Sequence, residues 1–462
     1  MAVLFPEQLF SFTDVLNGAL LRVAGPFYLG LGLLVVLFTL GVALSPLGKR
    51  RFGRPDERPA YGTWTWVAML YSAGMGSGLI LRAVQEPTYY FTHPPVPGRE
   101  PGTLALQYTY FHWGFTPWAF YATVALLVGW AHFRRGRPLR VSAALPARLQ
   151  RPLPELLVGL VVILATIFGI LASVGLGSGQ IMGGIEHLSG RPWPVGYLLG
   201  IILALGACSL VSAWTGLRRG ISVLSNINLL GAFVLLIWTV WHVDPAAFGQ
   251  LFGGGLWAYL RDFIPMSLGI EDFGRDAEFL RNWTVFYWAF WLAWAPFIGL
   301  FIARISRGRT VRQFLLGVLL IPSFGTFVWF TVFSASIFGA MDSYAGQYDE
   351  LFTATYYFLD TLPGGTPLSY FTLFILCTFL ITSVDSAIYV LSILTDNGRE
   401  RPRPGYKILW GITLPVLTTA LVWVGGDALL RAASNLLTIT ALPFGVVLLG
   451  LMGAFVWERL TD

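Results

Sequence analysis

Eleven predominantly apolar stretches of roughly 20 residues follow one another along the chain, at residues 26–45, 64–84, 106–133, 154–181, 194–215, 222–243, 282–304, 313–340, 367–394, 407–425 and 433–456. Each is long enough to cross the hydrocarbon core of a bilayer as a helix. Backbone that enters hydrocarbon must satisfy its own hydrogen bonds, and segments of this length do so as α-helices. Charged residues make up only 12% of the 462, about half the share of a soluble protein, which is too few to clothe a water-exposed surface. The expectation is an all-α polytopic membrane protein with about 11 transmembrane helices. One more stretch, 245–270, is glycine-rich and amphipathic, with Arg261 and Asp262 opposite Trp257, Leu260 and Phe263. It reads as a helix lying in the membrane interface.

The net charge of +6 would fit a nucleic-acid binder if the basic residues formed one surface. Instead they cluster in alternate loops: Lys49 to Arg58, Arg134 to Arg151, Arg218 and Arg219, Arg304 to Arg312, and Arg399 to Lys407, with Arg459 near the end. By the positive-inside rule these loops face the cytoplasm. The chain is expected in the plasma (inner) membrane, surrounded by lipid and without a nucleic-acid partner. An odd span count then puts the C-terminus in the cytoplasm and the N-terminus outside. Residues 1–25 carry Glu7 and Asp14 and no basic start, so they do not read as a cleavable signal peptide. Cys208 and Cys377 lie within apolar runs and imply no disulfide framework. The five histidines show no metal-ligand spacing, and no nucleophile elbow, P-loop or HExxH is present. A transporter is therefore expected rather than an enzyme.

Three intramembrane segments carry chemistry. In Ala73 to Gly78, glycines at every second position disfavour a continuous helix. Gly74 and Gly78 serve close helix packing, or the helix breaks and exposes backbone groups that hold ions. The second feature is a pair of aromatic segments, Phe111 to Tyr121 and Trp283 to Trp294. Trp288, Trp291 and Trp294 step by three along one broad face, Trp118 and Tyr121 share another, and Pro117 can distort the turn that brings Trp113 near. Core packing accounts for most membrane aromatics. Two such clusters can also box a quaternary ammonium, each ring face giving about 1–2 kcal/mol. The third is Thr382 to Ser386, four polar residues in five positions. The hydroxyls can bond back to their own helix, but the set with Asp385 marks an ion path or a helix anchor, and hydroxyls beside freed carbonyls suit sodium.

At these segments (AGMGSG with Glu86-Pro87, FHWGFTPWAFY, Trp283 to Thr310, and TSVDS) the chain resembles the betaine/choline/carnitine transporter family over about residues 26–456. The resemblance implies a leucine-transporter-like fold of two inverted five-helix repeats with alternating access. The repeats would span 64–243 and 282–462, preceded by an N-terminal segment with one scaffold helix (1–63) and joined by an interfacial helix (244–281) that serves homotrimer assembly. The family usually has twelve spans, and this chain begins at what would be the second. The resemblance further implies an aromatic cage of Trp113, Trp118, Tyr121 and Trp291, with Trp294 deeper and Phe290 where many members have Trp. Backbone at Met75, Gly76 and Gly78 would meet the substrate. Sodium, the coupling ion, would bind the carbonyls of Ser72, Met75 and Phe379 and the hydroxyls of Thr382 and Ser383. Gly78 stands where choline-preferring members carry an acid.

The function implied is sodium-coupled import of betaine-type quaternary ammonium compounds, glycine betaine foremost. The alternatives are a sodium-independent carnitine-like exchanger, a choline importer, and, more distantly, a non-transporting membrane sensor. Arg82 stands outside the resemblance. It pairs with Glu86 one turn on, snorkels to the interface, or faces the outer vestibule as a filter for zwitterions.

Overall fold

The structure is a computed structural model that describes residues 6–215, 220–343 and 347–461. Arg218 and Arg219 lie outside the described residues. The chain forms α1 (Pro6–Leu44), α2 (Thr63–Gly74), α3 (Gly78–Leu81), α4 (Gln85–Thr92), α5 (Pro101–Trp113), α6 (Phe115–Arg135), α7 (Pro152–Ser189), α8 (Val195–Thr215) and α9 (Ile221–Val240). There follow α10 (Pro245–Arg261), α11 (Phe263–Leu268), α12 (Ala277–Phe279), a π-helical segment (Leu280–Val285), α13 (Phe286–Ile305), α14 (Val311–Ile337), α15 (Ala354–Asp360), α16 (Gly365–Thr395) and α17 (Pro404–Thr461). Among the described residues, ten helices are long and apolar enough to cross a membrane, or eleven if the bent pair Thr63–Gly74 and Gly78–Thr92 is one span. Helix α17 holds two of them, Pro404–Val424 and Arg431–Arg459.

Burial sorts these helices. Most of α5–α6 and α13 is enclosed, whereas α8, α9 and the two spans of α17 expose much of their apolar surface, as helices facing lipid do. The first span begins earlier than its apolar run: α1 starts at Pro6. Its polar residue Asn17 is buried and donates to Asn435 Oδ1 at 3.1 Å, while Thr438 donates to Asn17 Oδ1. Partners more than 400 residues away thus satisfy groups that interrupt hydrophobicity locally.

Helix α10 starts at an Asp244 N-cap followed by Pro245. Trp257, Leu260 and Ile264 stay exposed, and Gly255, Ala258 and Tyr259 pack inward. Asp262 lies on the side away from this exposed stripe, whereas Phe263 turns inward against Tyr259 and Phe115. Asp262 is buried, and receives Arg99 at 2.7 Å, Arg261 at 2.7 Å and Gln107 at 2.9 Å. These donors hold its carboxyl below the usual carboxylate range against the upward push of burial.

The arginine-rich loops meet at one end of the bundle. Glu400, after α16, accepts from His132 at the end of α6 (2.6 Å) and pairs with Arg304 of α13 (3.3 Å). Arg307 pairs with Glu57 in the loop before α2 at 2.5 Å. Four elements are tied together there by charge.

Candidate functional site

The span α2–α4 bends by 66° at its glycines. The N–H groups of Met75 and Gly76 both donate to the Tyr71 carbonyl, at 3.0 and 3.2 Å. A continuing helix would have used the Gly76 N–H for the Ser72 carbonyl, so that carbonyl is released, and Ser383 Oγ approaches it at 3.5 Å. Gly76 has φ +53°, and a Cβ there would also lie 2.9 Å from Ser383 Oγ. Only glycine meets both conditions without strain. At Gly74 a Cβ would come within 2.7 Å of the Trp118 ring. Close packing and helix breakage are therefore both present in one segment.

Beside the break lies a cavity of about 400 Å³. Its inner lining includes Gly74, Met75, Gly78, Trp113, Tyr287, Trp291 and Trp294, and its rim Arg82, Tyr89, Asn282, Trp283 and Phe286. The inner rings are buried and the rim residues are half-buried or exposed. Helix α13 presents Tyr287, Phe290, Trp291 and Trp294 to the cavity, the i, i+3, i+4, i+7 spacing of one helix face. Trp288 belongs to a different face: it is fully buried against Phe111, with ring centroids 4.9 Å apart.

The four residues expected in the cage separate into two layers. Trp113 and Trp291 line the cavity and meet edge to face at 5.2 Å. Trp118 and Tyr121 sit behind the break, fully buried. Tyr121 donates to the Gly74 carbonyl at 3.3 Å and its ring lies 6.2 Å from Trp291. Trp113 is brought to the wall by a break at Gly114, where α5 gives way to α6. Pro117 falls in the first turn of α6, where no helical N–H is needed.

A buried carboxylate that spacing did not single out holds this wall. Glu86 accepts from Trp113 Nε1, 3.0 Å from both its oxygens, from Tyr90 at 3.0 Å, and from Tyr287. His112 Nδ1 lies 3.8 Å from Glu86, and its Nε2 is 3.0 Å from Thr284. Trp291 Nε1 donates to the His112 carbonyl at 2.9 Å. Three of the cavity's rings are thus oriented through one polar cluster. Arg82 does not pair with Glu86; it donates to Gln85 at 2.6 Å and lies 5.9 Å from the Trp283 ring centroid.

The second cluster joins α2 to α16. Ser72, Met75, Phe379, Thr382 and Ser383 are all buried, and Thr382 Oγ1 donates to the Phe379 carbonyl at 2.8 Å. Asn228 of α9, unmarked in sequence, reaches in as well: its Nδ2 lies 2.9 Å from Thr382 Oγ1 and 3.3 Å from Ser72 Oγ. Its Oδ1 is buried without a partner, and a half-turn of the amide would present that oxygen to the same hydroxyls. The released Ser72 carbonyl and the hydroxyls of Ser72, Thr382 and Ser383 meet here with the Asn228 amide from a third helix, an oxygen-rich set that fits a small hard cation.

The model of a family described as BCCT, betaine/carnitine/choline family transporter, matches residues 1–461. The glycine betaine transporter OpuD of Bacillus subtilis (strain 168) is 36% identical over 99% of this chain and 91% of its own length. The ectoine/hydroxyectoine transporter of Virgibacillus pantothenticus is 34% identical, over 97% and 90%. Among solved structures, that of MhsT in complex with L-phenylalanine aligns over 86% of this chain and 89% of its own, with a TM-score of 0.52 at 15% identity, a likeness of fold.

Proposed function

The chain belongs to the betaine/carnitine/choline transporter family, and from that premise we propose that it imports glycine betaine by sodium-coupled alternating access. The observation that carries the reading is the aromatic cavity beside a broken helix, with an oxygen-rich cluster at the same break. The trimethylammonium head sits against Trp113, Tyr287 and Trp291, each ring face contributing about 1–2 kcal/mol, and Trp294 lines the deeper path. Trp118 and Tyr121 back the break rather than touch the head.

Sodium takes the carbonyls of Ser72, Met75 and Phe379 and the hydroxyls of Thr382 and Ser383. It joins α2 to α16 across the break, so its binding favours the arrangement that holds substrate. Residues 64–243 and 282–462 act as inverted repeats around this site. The arginine-rich end is cytoplasmic, which places the C-terminus inside and the N-terminus outside. It also makes the present arrangement outward-facing, with the Glu400 and Glu57 ion pairs closing the inner side. We assign the exposed stripe Trp257, Leu260 and Ile264 on α10–α11 as the trimer contact.

Uptake of labelled glycine betaine by proteoliposomes, with sodium or potassium outside, tests the proposal. Concentrative uptake that needs sodium is expected; equal uptake in potassium refutes the coupling, and no uptake refutes the substrate.

A further inference from the structure

We propose that Arg82 is a specificity residue that holds the substrate's carboxylate and turns away cations lacking one. The inference rests on the cavity being the substrate site. Among the described lining residues Arg82 carries the one formal charge, and none is Asp or Glu. Glu86 is screened from the cavity by Trp113 and Tyr287, which both spend their polar hydrogens on it. Arg82 itself makes no ion pair among the described residues. One bond to Gln85 and the face of Trp283 hold it half-buried at the rim. A guanidinium has five N–H donors in a planar fork that matches a carboxylate; most of that capacity is left for a ligand.

The geometry sets the kind of ligand. A Cβ on Gly78 would lie 3.3 Å from the Trp113 ring, so Gly78 marks the level of the aromatic wall. The Arg82 N–H donates to the Gly78 carbonyl at 3.0 Å. That is one helical turn, about 6 Å along the axis for four residues. Arg82 thus leaves the backbone one turn from the aromatic wall and carries its guanidinium to the rim beside Gln85 and Trp283; rings inside and a guanidinium at the rim complement a short zwitterion, with its quaternary nitrogen inward and its carboxylate outward. A choline-like cation gains the same rings but faces an uncompensated guanidinium, an arrangement that discriminates by repulsion as well as attraction.

The test pairs a change in the substrate with a change in the protein. Half-saturation is measured in proteoliposomes for glycine betaine and for glycine betaine amide, which replaces the carboxylate by an uncharged group of the same shape. Both are measured for wild type, Arg82→Gln and Arg82→Met, the second neutral variant covering the case in which the first does not reach the membrane. Wild type should prefer betaine to the amide at least tenfold, and the variants should shrink that ratio to within about twofold, a coupling of about 1 kcal/mol. Choline should compete better in the variants than in wild type, most clearly at low ionic strength. Wild-type uptake with a betaine-to-amide ratio unmoved in the variants overturns the assignment of Arg82 alone. Wild-type protein that takes up neither compound overturns the substrate reading and this assignment with it.

Discussion

Replacing Glu86 should loosen the cavity wall without touching any atom that faces substrate. Its carboxylate collects donors from Trp113, Tyr90 and Tyr287, two of which line the cavity. A hydrogen bond to a charged group is worth about 1.5–3 kcal/mol, and a buried donor left without an acceptor costs about 1–3 kcal/mol. Glu86→Ala strands the donors of Trp113 and Tyr287, while Tyr90 keeps His112 Nδ1 at 2.9 Å, so a loss of about 2–6 kcal/mol is expected, enough to impair folding. Glu86→Gln is the informative variant. It keeps one oxygen but exchanges the other for an amide N–H₂, which the donor-only indole of Trp113 cannot match, a loss of about 1–3 kcal/mol. With Trp113 no longer held from both oxygens, the cage loses much of one ring face, about 1–2 kcal/mol. Betaine affinity should then fall roughly 5–30-fold. Substrate-dependent tryptophan fluorescence of the purified protein reads the affinity, and thermal unfolding in the same detergent reads the stability. A Glu86→Gln protein with wild-type melting temperature and betaine affinity within about twofold of wild type would refute the anchoring role.

Four further outcomes follow from the same geometry. Trp291→Leu should weaken betaine binding by about 5–30-fold, whereas Trp118→Leu, one layer behind, should lower the melting temperature more than the affinity; equal affinity losses in both would contradict the two-layer arrangement. Thr382→Ala combined with Ser383→Ala should raise the sodium concentration for half-maximal uptake far more than that of betaine at saturating sodium, and unchanged sodium dependence would remove these hydroxyls from the ion site. Gly76→Ala places a side chain at φ +53° against Ser383, a strain of about 1–3 kcal/mol, and wild-type uptake and stability in that variant would show the break to be dispensable. Glu400 is held at about 2, chiefly by the hydrogen bond from His132. A carboxyl depressed in this way stabilises the fold above its ordinary value, near 4.5, and loses that contribution as pH falls toward 2. Uptake should therefore be insensitive to Glu400 titration between pH 5 and 8, while Glu400→Gln should increase labelling of cysteines placed on the arginine-rich side of the cavity; unaltered labelling would remove the ion pairs from gating.

The spans were legible because hydrocarbon imposes their length and composition. Glycine at alternate positions is costly in a helix, which left close packing and breakage as two readings of Ala73 to Gly78, and the structure has both. Ser72, Thr382 and Ser383 share one buried cluster with Asn228. What escaped the sequence depends on which face a residue takes and on partners distant in the chain. The first half of α1 carries Asn17, whose partners Asn435 and Thr438 lie on the last span. Trp288 shares the aromatic segment but turns toward Phe111, because one residue of helix rotates a side chain by 100°. Glu86 was visible as part of a motif, yet its donors come from α4, α5 and α13 and no spacing unites them. Asn228 was one of two amides in an apolar helix until packing set it beside Thr382.

The central claim is that the aromatic cavity at the broken helix holds the quaternary ammonium group. Cryo-electron microscopy of the wild-type protein in lipid nanodiscs, with glycine betaine and sodium, tests it most directly. Ligand density is expected against Trp113, Tyr287 and Trp291, with its carboxylate end toward Arg82. Ligand density at any other site, with none between these three rings, would contradict it.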